Sequence, residues 1–401
     1  MTTKQAIRAR FETLCPRAGQ GQNDGEPLVT PIVQSTTFCR EGVGSTAEHQ
    51  YSRVSNPTVA ALESALGQLE SAEPALAFGT GLGAETCLFL TLLSAGEHVV
   101  CSSGLYGGTT RLLEQVLSRL GIETTFVDSR DVEAVRAAVQ ANTRLIFVET
   151  PANPTLHVTD VRAIAAIARA AGALLAVDNT FLTPLLQQPL DLGAAVSVLS
   201  TTKFIEGHSA ALGGALVTRD PVLRERLEFV RKCTGGIQAP FQAWLTLQGL
   251  KTLPLRLERQ SASAETLARW LLDQPEVARV NYPGLGGEAE RKLCEEQHIG
   301  AHGAVLSFEL RGGYERARQF VEALKTCRLV EHVGSVETLI THSASMTHAG
   351  ISSEQRAAIG VSDALLRLSV GLEAVSALRD DLSQALTRTK LAAAIAAEVV
   401  A

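Results

Sequence analysis

The sequence contains no apolar run long enough to cross a bilayer: the longest, near Leu174 to Val177 and within Ala392 to Val400, fall well short of the roughly 20 residues a spanning helix needs. No basic stripe or Lys/Arg-rich tract accompanies the formal charge of −6, which argues against nucleic acid as a partner and favours a small anionic or zwitterionic ligand. No C-x-x-C pair occurs among Cys15, Cys39, Cys87, Cys101, Cys233, Cys294 and Cys327, an odd set with irregular spacing. Neither a disulfide framework nor a thiolate zinc site is indicated, and most of these thiols are expected to be buried and reduced. Met1 to Gln20 carries Lys4, Arg8, Arg10 and Glu12 and lacks the apolar core of a signal peptide, so a cytoplasmic location and no membrane partner are expected. Internal repeats and low-complexity segments are also missing.

What is present has the balance of a soluble globular chain, with 45% hydrophobic and 19% charged residues over a length that suggests two or so domains. Residues 1–60 carry turn signals, the Gly19 to Glu26 run, Pro27, Pro31 and Asn56-Pro57, with weak periodicity, and read as an extended arm. From there to about residue 220, short β-branched runs alternate with helical patterns: Glu97 to Ser102, Thr109 to Leu120, Thr124 to Val127, Asp131 to Gln140, Leu145 to Glu149. Such alternation predicts an α/β fold with a largely parallel sheet covered by helices. Asp160 to Ala171 places Val161, Ile164, Ala165 and Ala168 on one helical face before Gly172, and Ala173 to Val177 follows as a buried strand ending at Asp178. Beyond about 255, long helical patterns (Leu257 to Leu272, Tyr314 to Leu324, Ser376 to Ala397) surround one strand candidate, Ala304 to Leu310. The expected organisation is an arm over 1–60, a large domain over 61–255 and a smaller α+β domain over 256–401.

Ligands of open α/β sheets bind at the carboxyl ends of strands, where Glu149-Thr150, Asp178-Asn179-Thr180 and Ser200-Thr201-Thr202-Lys203 all fall. Lys203 is a lone lysine after a strand and three hydroxyl residues, and partial desolvation there turns an ammonium into a nucleophilic amine. Taken singly, Lys203 reads as a surface lysine, Tyr106 as a packed aromatic, Asp178 as a cap and Arg367 as a surface ion-pair residue. In each other's company, Lys203 and Asp178 suit pyridoxal 5'-phosphate (PLP). That cofactor needs a carboxylate facing its pyridine nitrogen, a role open to Asp178, 25 residues before Lys203. It also needs phosphate ligands, and Gly79-Thr80-Gly81-Leu82-Gly83 opens a helical stretch whose first N–H groups suit an anion, with Ser200 and Thr202 as hydroxyl donors.

These motifs resemble the Cys/Met-metabolism PLP enzymes, the trans-sulfuration family that includes cystathionine γ-synthase, cystathionine γ-lyase, methionine γ-lyase and the O-acylhomoserine sulfhydrylases. The resemblance runs from Pro31 to about Leu386. It is carried in order by Tyr51-Ser52-Arg53 with Asn56-Pro57-Thr58, Tyr106-Gly107-Gly108-Thr109, Glu149 to Pro154, Asp178-Asn179-Thr180, Ser200 to Lys203, and Arg367 to Glu373. It implies a PLP-dependent transferase fold of type I, aspartate-aminotransferase-like, with the large domain binding the cofactor.

The resemblance further implies that Lys203 holds the cofactor as a Schiff base and moves protons, that Asp178 pairs with the pyridinium, and that Tyr106 stacks on the ring and assists as an acid or base. Gly81, Leu82, Ser200 and Thr202 are the implied phosphate ligands, joined by Tyr51 and Arg53 of a neighbouring subunit in a homotetramer built as a dimer of dimers. Asn153 is placed beside the cofactor's phenolic oxygen, and Arg367 on the substrate α-carboxylate. Gly108 stands where methionine γ-lyases carry Cys, whereas Glu331 and Arg111 match members that handle cystathionine.

The expected activity is γ-elimination or γ-replacement in cysteine metabolism or methionine biosynthesis, as a cystathionine γ-lyase or γ-synthase. O-acylhomoserine sulfhydrylase, methionine γ-lyase and a non-catalytic PLP-binding scaffold are the alternatives. Departures from the family pattern stand at His332 (usually Ser), Leu82 (Met), Leu199 (His) and Ala210 (Asp), and His332 bears on substrate choice. A dinucleotide-binding dehydrogenase is disfavoured, because Gly79-x-Gly81-x-Gly83 lacks the G-x-G-x-x-G spacing and Cys101-Ser102-Ser103 stands where an acidic residue belongs. No catalytic metal is expected; His208, His342 and His348 lack ligand spacing.

Overall fold

The computed structural model describes residues 3–21, 23–350 and 352–400, so that residues 1, 2 and 22 of the expected arm and residue 401 lie outside it. The chain forms two compact units, one of residues 1–150 with 159–254, the other of residues 151–158 with 255–401.

The first unit is built on strands β1 (Leu76–Phe78), β2 (His98–Ser102), β3 (Glu123–Val127), β4 (Thr143–Glu149), β5 (Leu174–Asp178), β6 (Val196–Leu199) and β7 (Gly214–Val217). They lie in the order β1-β7-β6-β5-β4-β2-β3, and only β7 runs against its neighbours. The sheet is therefore the largely parallel one that alternating strands and helices predict. Helical crossovers cover both faces, so the inner strands are buried along nearly their whole length. Side chains alternate between two cores with the period of two of a pleated strand. Leu145 and Phe147 of β4 and Ala176 of β5 join Leu88 and Phe89 on one face, while Ile146, Val148, Leu175 and Val177 join Val161, Ile164 and Ala168 on the other. Phe89 and Phe147 meet with ring centroids 5.2 Å apart.

Local signals set the helix ends. Asp131 and Asp160 accept from the first N–H groups of the helices Val132–Ala138 and Val161–Ala170, and Gly172, at φ +67°, follows the second. The arm is not extended throughout: Thr3–Leu14 is a helix, Phe11 is buried, and Cys15 closes the segment inside the core. A buried ion pair of Arg231 and Glu63 locks the helices Pro57–Leu69 and Pro221–Thr234 to β1; Arg231 also donates to the Ala77 carbonyl at 2.9 Å.

The second unit contains more sheet than one strand candidate suggests. Strands β8 (Val277–Asn281), β9 (Val305–Leu310), β10 (Arg328–Leu329), β11 (Leu339–His342) and β12 (Leu365–Ser369) form a sheet in the order β10-β11-β12-β9-β8, parallel only between β10 and β11. The short strands carry no long β-branched run, and pairing across up to about 60 residues, which no local pattern announces, makes the sheet. Helices Leu253–Leu272, Gly313–Ala323 and Val375–Val400 supply Leu267, Phe320 and Leu378 to its core. Among the described residues no helix is long and apolar enough to cross a membrane. All seven cysteines are free thiols, five buried and Cys39 and Cys233 exposed.

Candidate active site

Parallel pairing puts the carboxyl ends of neighbouring strands together. Glu149 at the end of β4 pairs with Asp178 at the end of β5, and Asp178 pairs with Val198 of β6. The segments that follow these strands therefore leave the sheet side by side, which collects residues from three distant stretches of sequence.

Asp178 is buried, and burial pushes its carboxyl up; hydrogen bonds from Thr180 and the positive charge of Lys203 oppose that rise. The Thr180 N–H donates to Asp178 Oδ1 at 2.9 Å, and the Thr180 hydroxyl accepts the Ser200 N–H at 2.8 Å. Thr180 thus couples the carboxylate to the turn that carries the lysine, a positioning role that motif reading left unassigned. In that turn the Lys203 N–H donates to the Ser200 carbonyl, and Gly207 N–H to the Lys203 carbonyl. Thr202 braces the turn from the other side, its hydroxyl donating to the Gly213 carbonyl at 3.0 Å and accepting the Gly213 N–H at 2.9 Å. Glu206, 1% exposed, accepts the N–H groups of His208 and Ala210. Of the departures, Leu199 is packed in the core of β6 and Ala210 is exposed on this loop.

Gly81 opens the helix Gly81–Leu92, whose N-cap Thr80 accepts the Gly83 N–H. A Cβ on Gly81 would lie 2.9 Å from Ser200 Cβ and 3.0 Å from Ser200 Oγ. Glycine is needed here because the helix N-terminus closes directly on Ser200. The first N–H groups of a helix have no intrahelical acceptor and carry its positive dipole end, so this closure makes an anion cradle beside a lysine. A buried carboxylate, a lysine and such a cradle at one sheet edge fit the pyridine nitrogen, aldehyde and phosphate of PLP.

Tyr106 precedes the helix Gly107–Arg111 and is 39% exposed, with its N–H donating to Glu149 at 2.7 Å. Its ring lies against Gly108 and close to where Leu82 packs, so a side chain at 108 would strike the ring. Arg111 ends that helix, exposed. Tyr51 and Arg53 are exposed too; the Arg53 guanidinium stacks 5.3 Å over the Tyr51 ring and donates to the Lys232 carbonyl.

Sequence reasoning passed over Glu85. It sits buried in the helix Gly81–Leu92 and accepts the Thr109 hydroxyl at 2.7 Å. Burial, then the Asp178 carboxylate, push its carboxyl up to about 8. A single acid inside the apolar stretch Gly81-Leu82-Gly83-Ala84-Glu85-Thr86-Cys87-Leu88 was the available signal.

In the second unit, Arg367 on β12 is 3% exposed and donates to Asn153 Oδ1 at 2.8 Å, Thr341 Oγ1 at 3.0 Å and the His332 carbonyl at 3.3 Å. Three of the four residues assigned to this unit are thereby assembled, His332 through its backbone. Thr341 faces Arg367 because the two are register partners across β11 and β12. Glu331, next to His332, is exposed.

Comparison with known proteins agrees with this geometry. A family model described as Cys/Met metabolism PLP-dependent enzyme matches residues 12–387. Cystathionine gamma-lyase of Bacillus subtilis is 43% identical over 356 residues, covering 89% of this chain and 93% of that protein. Cystathionine gamma-synthase of Mycobacterium tuberculosis strain H37Rv is also 43% identical, over 357 residues, covering 89% and 91%. The solved structure of cystathionine gamma synthase from Xanthomonas oryzae pv. oryzae in complex with cystathionine is similar with a TM-score of 0.92 at 39% identity, covering 95% of this chain and 98% of that one. A match of that extent, over a sheet edge suited to the same cofactor, means that the chain belongs to the Cys/Met metabolism family of PLP-dependent enzymes, the trans-sulfuration enzymes of sulfur amino-acid metabolism.

Proposed function

We propose that this enzyme acts at the γ-carbon of a cystathionine-sized sulfur amino acid, by elimination or replacement, as a cytoplasmic homotetramer. The observation that carries the reading is the Lys203 and Asp178 pair beside the Gly81 cradle, in a chain equally similar to a γ-lyase and a γ-synthase.

Lys203 would hold the cofactor through its side-chain amine, and Asp178 would keep the pyridine nitrogen protonated. The N–H groups of Gly81 and Leu82, with Ser200 and Thr202, hold the phosphate, completed by Tyr51 and Arg53 of a neighbouring subunit. Bound there, PLP supplies an electron sink for the charge that develops when the substrate loses its α-proton. The Lys203 amine takes and returns protons at the α-carbon, and the Tyr106 hydroxyl, beside the ring, holds or moves a proton during loss of the γ-substituent. Arg367 binds the α-carboxylate with two parallel donors, and Asn153 would meet the cofactor's phenolic oxygen. Arg111 and Glu331, both exposed, meet the distal carboxylate and amino group of cystathionine, and His332 tunes the choice of substrate.

The test is visible absorption of the purified protein, then addition of L-cystathionine, or of O-succinyl-L-homoserine with cysteine. A visible cofactor band that Lys203→Ala abolishes, with oxo acid and cysteine released from cystathionine, identifies a γ-lyase. Cystathionine formed from the acylated homoserine identifies a γ-synthase. A protein with the band but no turnover of either substrate is a scaffold, and absence of the band after PLP is supplied overturns the reading.

A further inference from the structure

The second unit holds a cluster that no part of the PLP chemistry uses. Cys294 lies in the last turn of the helix Glu288–Gln297, and His298, four residues on, follows the helix end with its N–H donating to the Cys294 carbonyl at 2.8 Å. Spacing of i and i+4 puts both side chains on one face. Gly300, at φ +79°, then turns the backbone so that His302 returns to the same place. The Sγ and the nearest ring nitrogens of the three residues all lie within 4.8 Å of one another.

We propose that Cys294, His298 and His302 bind a late first-row divalent cation, zinc foremost, with water in the fourth position. The donor set is a thiolate with two imidazoles, the mixture that zinc takes and that magnesium and calcium do not. The two imidazole Nδ1 atoms are hydrogen-bonded to each other at 3.1 Å, a contact that the metal would replace. Two nitrogens bonded to one tetrahedral zinc at about 2.05 Å are separated by roughly 3.3 Å, so the observed spacing needs little adjustment. Cys294 and His298 are buried and His302 half-buried, which leaves one side for a solvent ligand.

The surroundings orient the rings, as outer contacts do in established metal sites. Tyr282 meets His302 edge to face with centroids 6.4 Å apart, and its hydroxyl donates to the Gly303 carbonyl at 2.9 Å. Gly284 lies beneath the same ring; a Cβ there would approach His302 Cδ2 to 2.7 Å. The negative end of the Glu288–Gln297 helix dipole faces the cluster and favours a cation. The metal binds by replacing the Cys294 thiol proton, which leaves to solvent as the sulfur–metal bond forms. The ion fastens residues 294–302 just before β9, the strand in which Ser307 pairs with Arg367.

The experiment uses full-length, PLP-loaded protein, reduced and stripped with chelator, with cobalt(II) chloride as the probe. The expected result is one cobalt per chain with a thiolate-to-cobalt charge-transfer absorption that zinc chloride removes by competition. Cys294→Ser abolishes this absorption, and His302→Asn, at the half-exposed position, weakens affinity by about tenfold or more. The Cys39→Ser, Cys233→Ser double variant, which removes the exposed thiols, keeps it. Retention of the PLP band and of the far-UV circular dichroism shows that each variant is folded. No charge-transfer absorption in the parent protein overturns the proposal, as does absorption that survives Cys294→Ser or is lost with Cys39 and Cys233.

Discussion

Arg367 Nη1 donates to Asn153 Oδ1 at 2.8 Å, tying the central strand of the second sheet to a loop 214 positions earlier in the chain. With Thr341 and the His332 carbonyl on Nη2, the guanidinium is held in one orientation before any substrate arrives. Preorganisation of this kind lowers the entropy cost of ordering a flexible side chain on binding.

Arg367→Lys keeps the charge but cannot offer two parallel donors to a carboxylate. It is expected to raise KM for the amino-acid substrate by roughly tenfold to a hundredfold, with a smaller change in kcat. Thr341→Val removes one anchor and should cost about 1 kcal/mol of substrate affinity. Steady-state kinetics with cystathionine separates the two effects; an unchanged KM in Arg367→Lys would remove Arg367 from carboxylate binding.

Tyr51 and Arg53 lie exposed, with Arg53 folded back on Lys232 of its own chain. If they complete a neighbour's site, Lys203→Ala and Arg53→Ala chains, each inactive alone, should regain activity when refolded together, because some mixed interfaces contain one intact site. Activity that stays at the level of the separate variants would place the pair at its own chain's site.

Glu85 gives a pH signature in the cofactor-free protein. Its carboxyl rises to about 8 in the folded state, from the ordinary carboxylate range, by burial and by the Asp178 charge. The folded chain keeps a proton that the unfolded chain has lost, so this contribution to stability is complete below about pH 4.5 and is lost as pH rises through about 8. Glu85→Gln has no such proton to lose. Urea midpoints for the variant should gain on the parent between pH 5 and pH 8, by an amount on the order of a few kcal/mol. Parallel pH profiles would show that Glu85 is ionised in the fold.

Arg231 and Glu63, 1% and 7% exposed, form the buried ion pair at β1. Removing one partner leaves the other charge unneutralised, so Glu63→Ala should destabilise the fold by about 3 to 5 kcal/mol, read from chemical denaturation. Replacing the pair together by Met and Leu should cost much less, since the desolvation penalty disappears with the charges.

Much of the first unit was legible because its signals are local. Periodicity marked β2 to β5 and their helices, Asp131 and Asp160 announced helix starts, and Gly81 stood where a helix N-terminus closes on Ser200. The second unit was less legible. Its strands are short, and β9 was visible from Ala304 to Leu310 while β8, β10, β11 and β12 exist through pairing with distant segments. Glu85 and Thr341 act through space on residues the motifs had already named, and no spacing rule connects them.

The sequence by itself determined the helix-and-strand alternation, the ends of the main elements, and the order of the motifs that carry PLP chemistry, because each depends on residues a few positions apart. Tertiary structure alone decided which carboxylate stands beside Asp178, what holds Arg367, and that His302 returns to Cys294 and His298. Burial, electrostatic coupling and ligand geometry are set by distances between atoms, and the folded backbone makes those distances short for residues far apart in the chain.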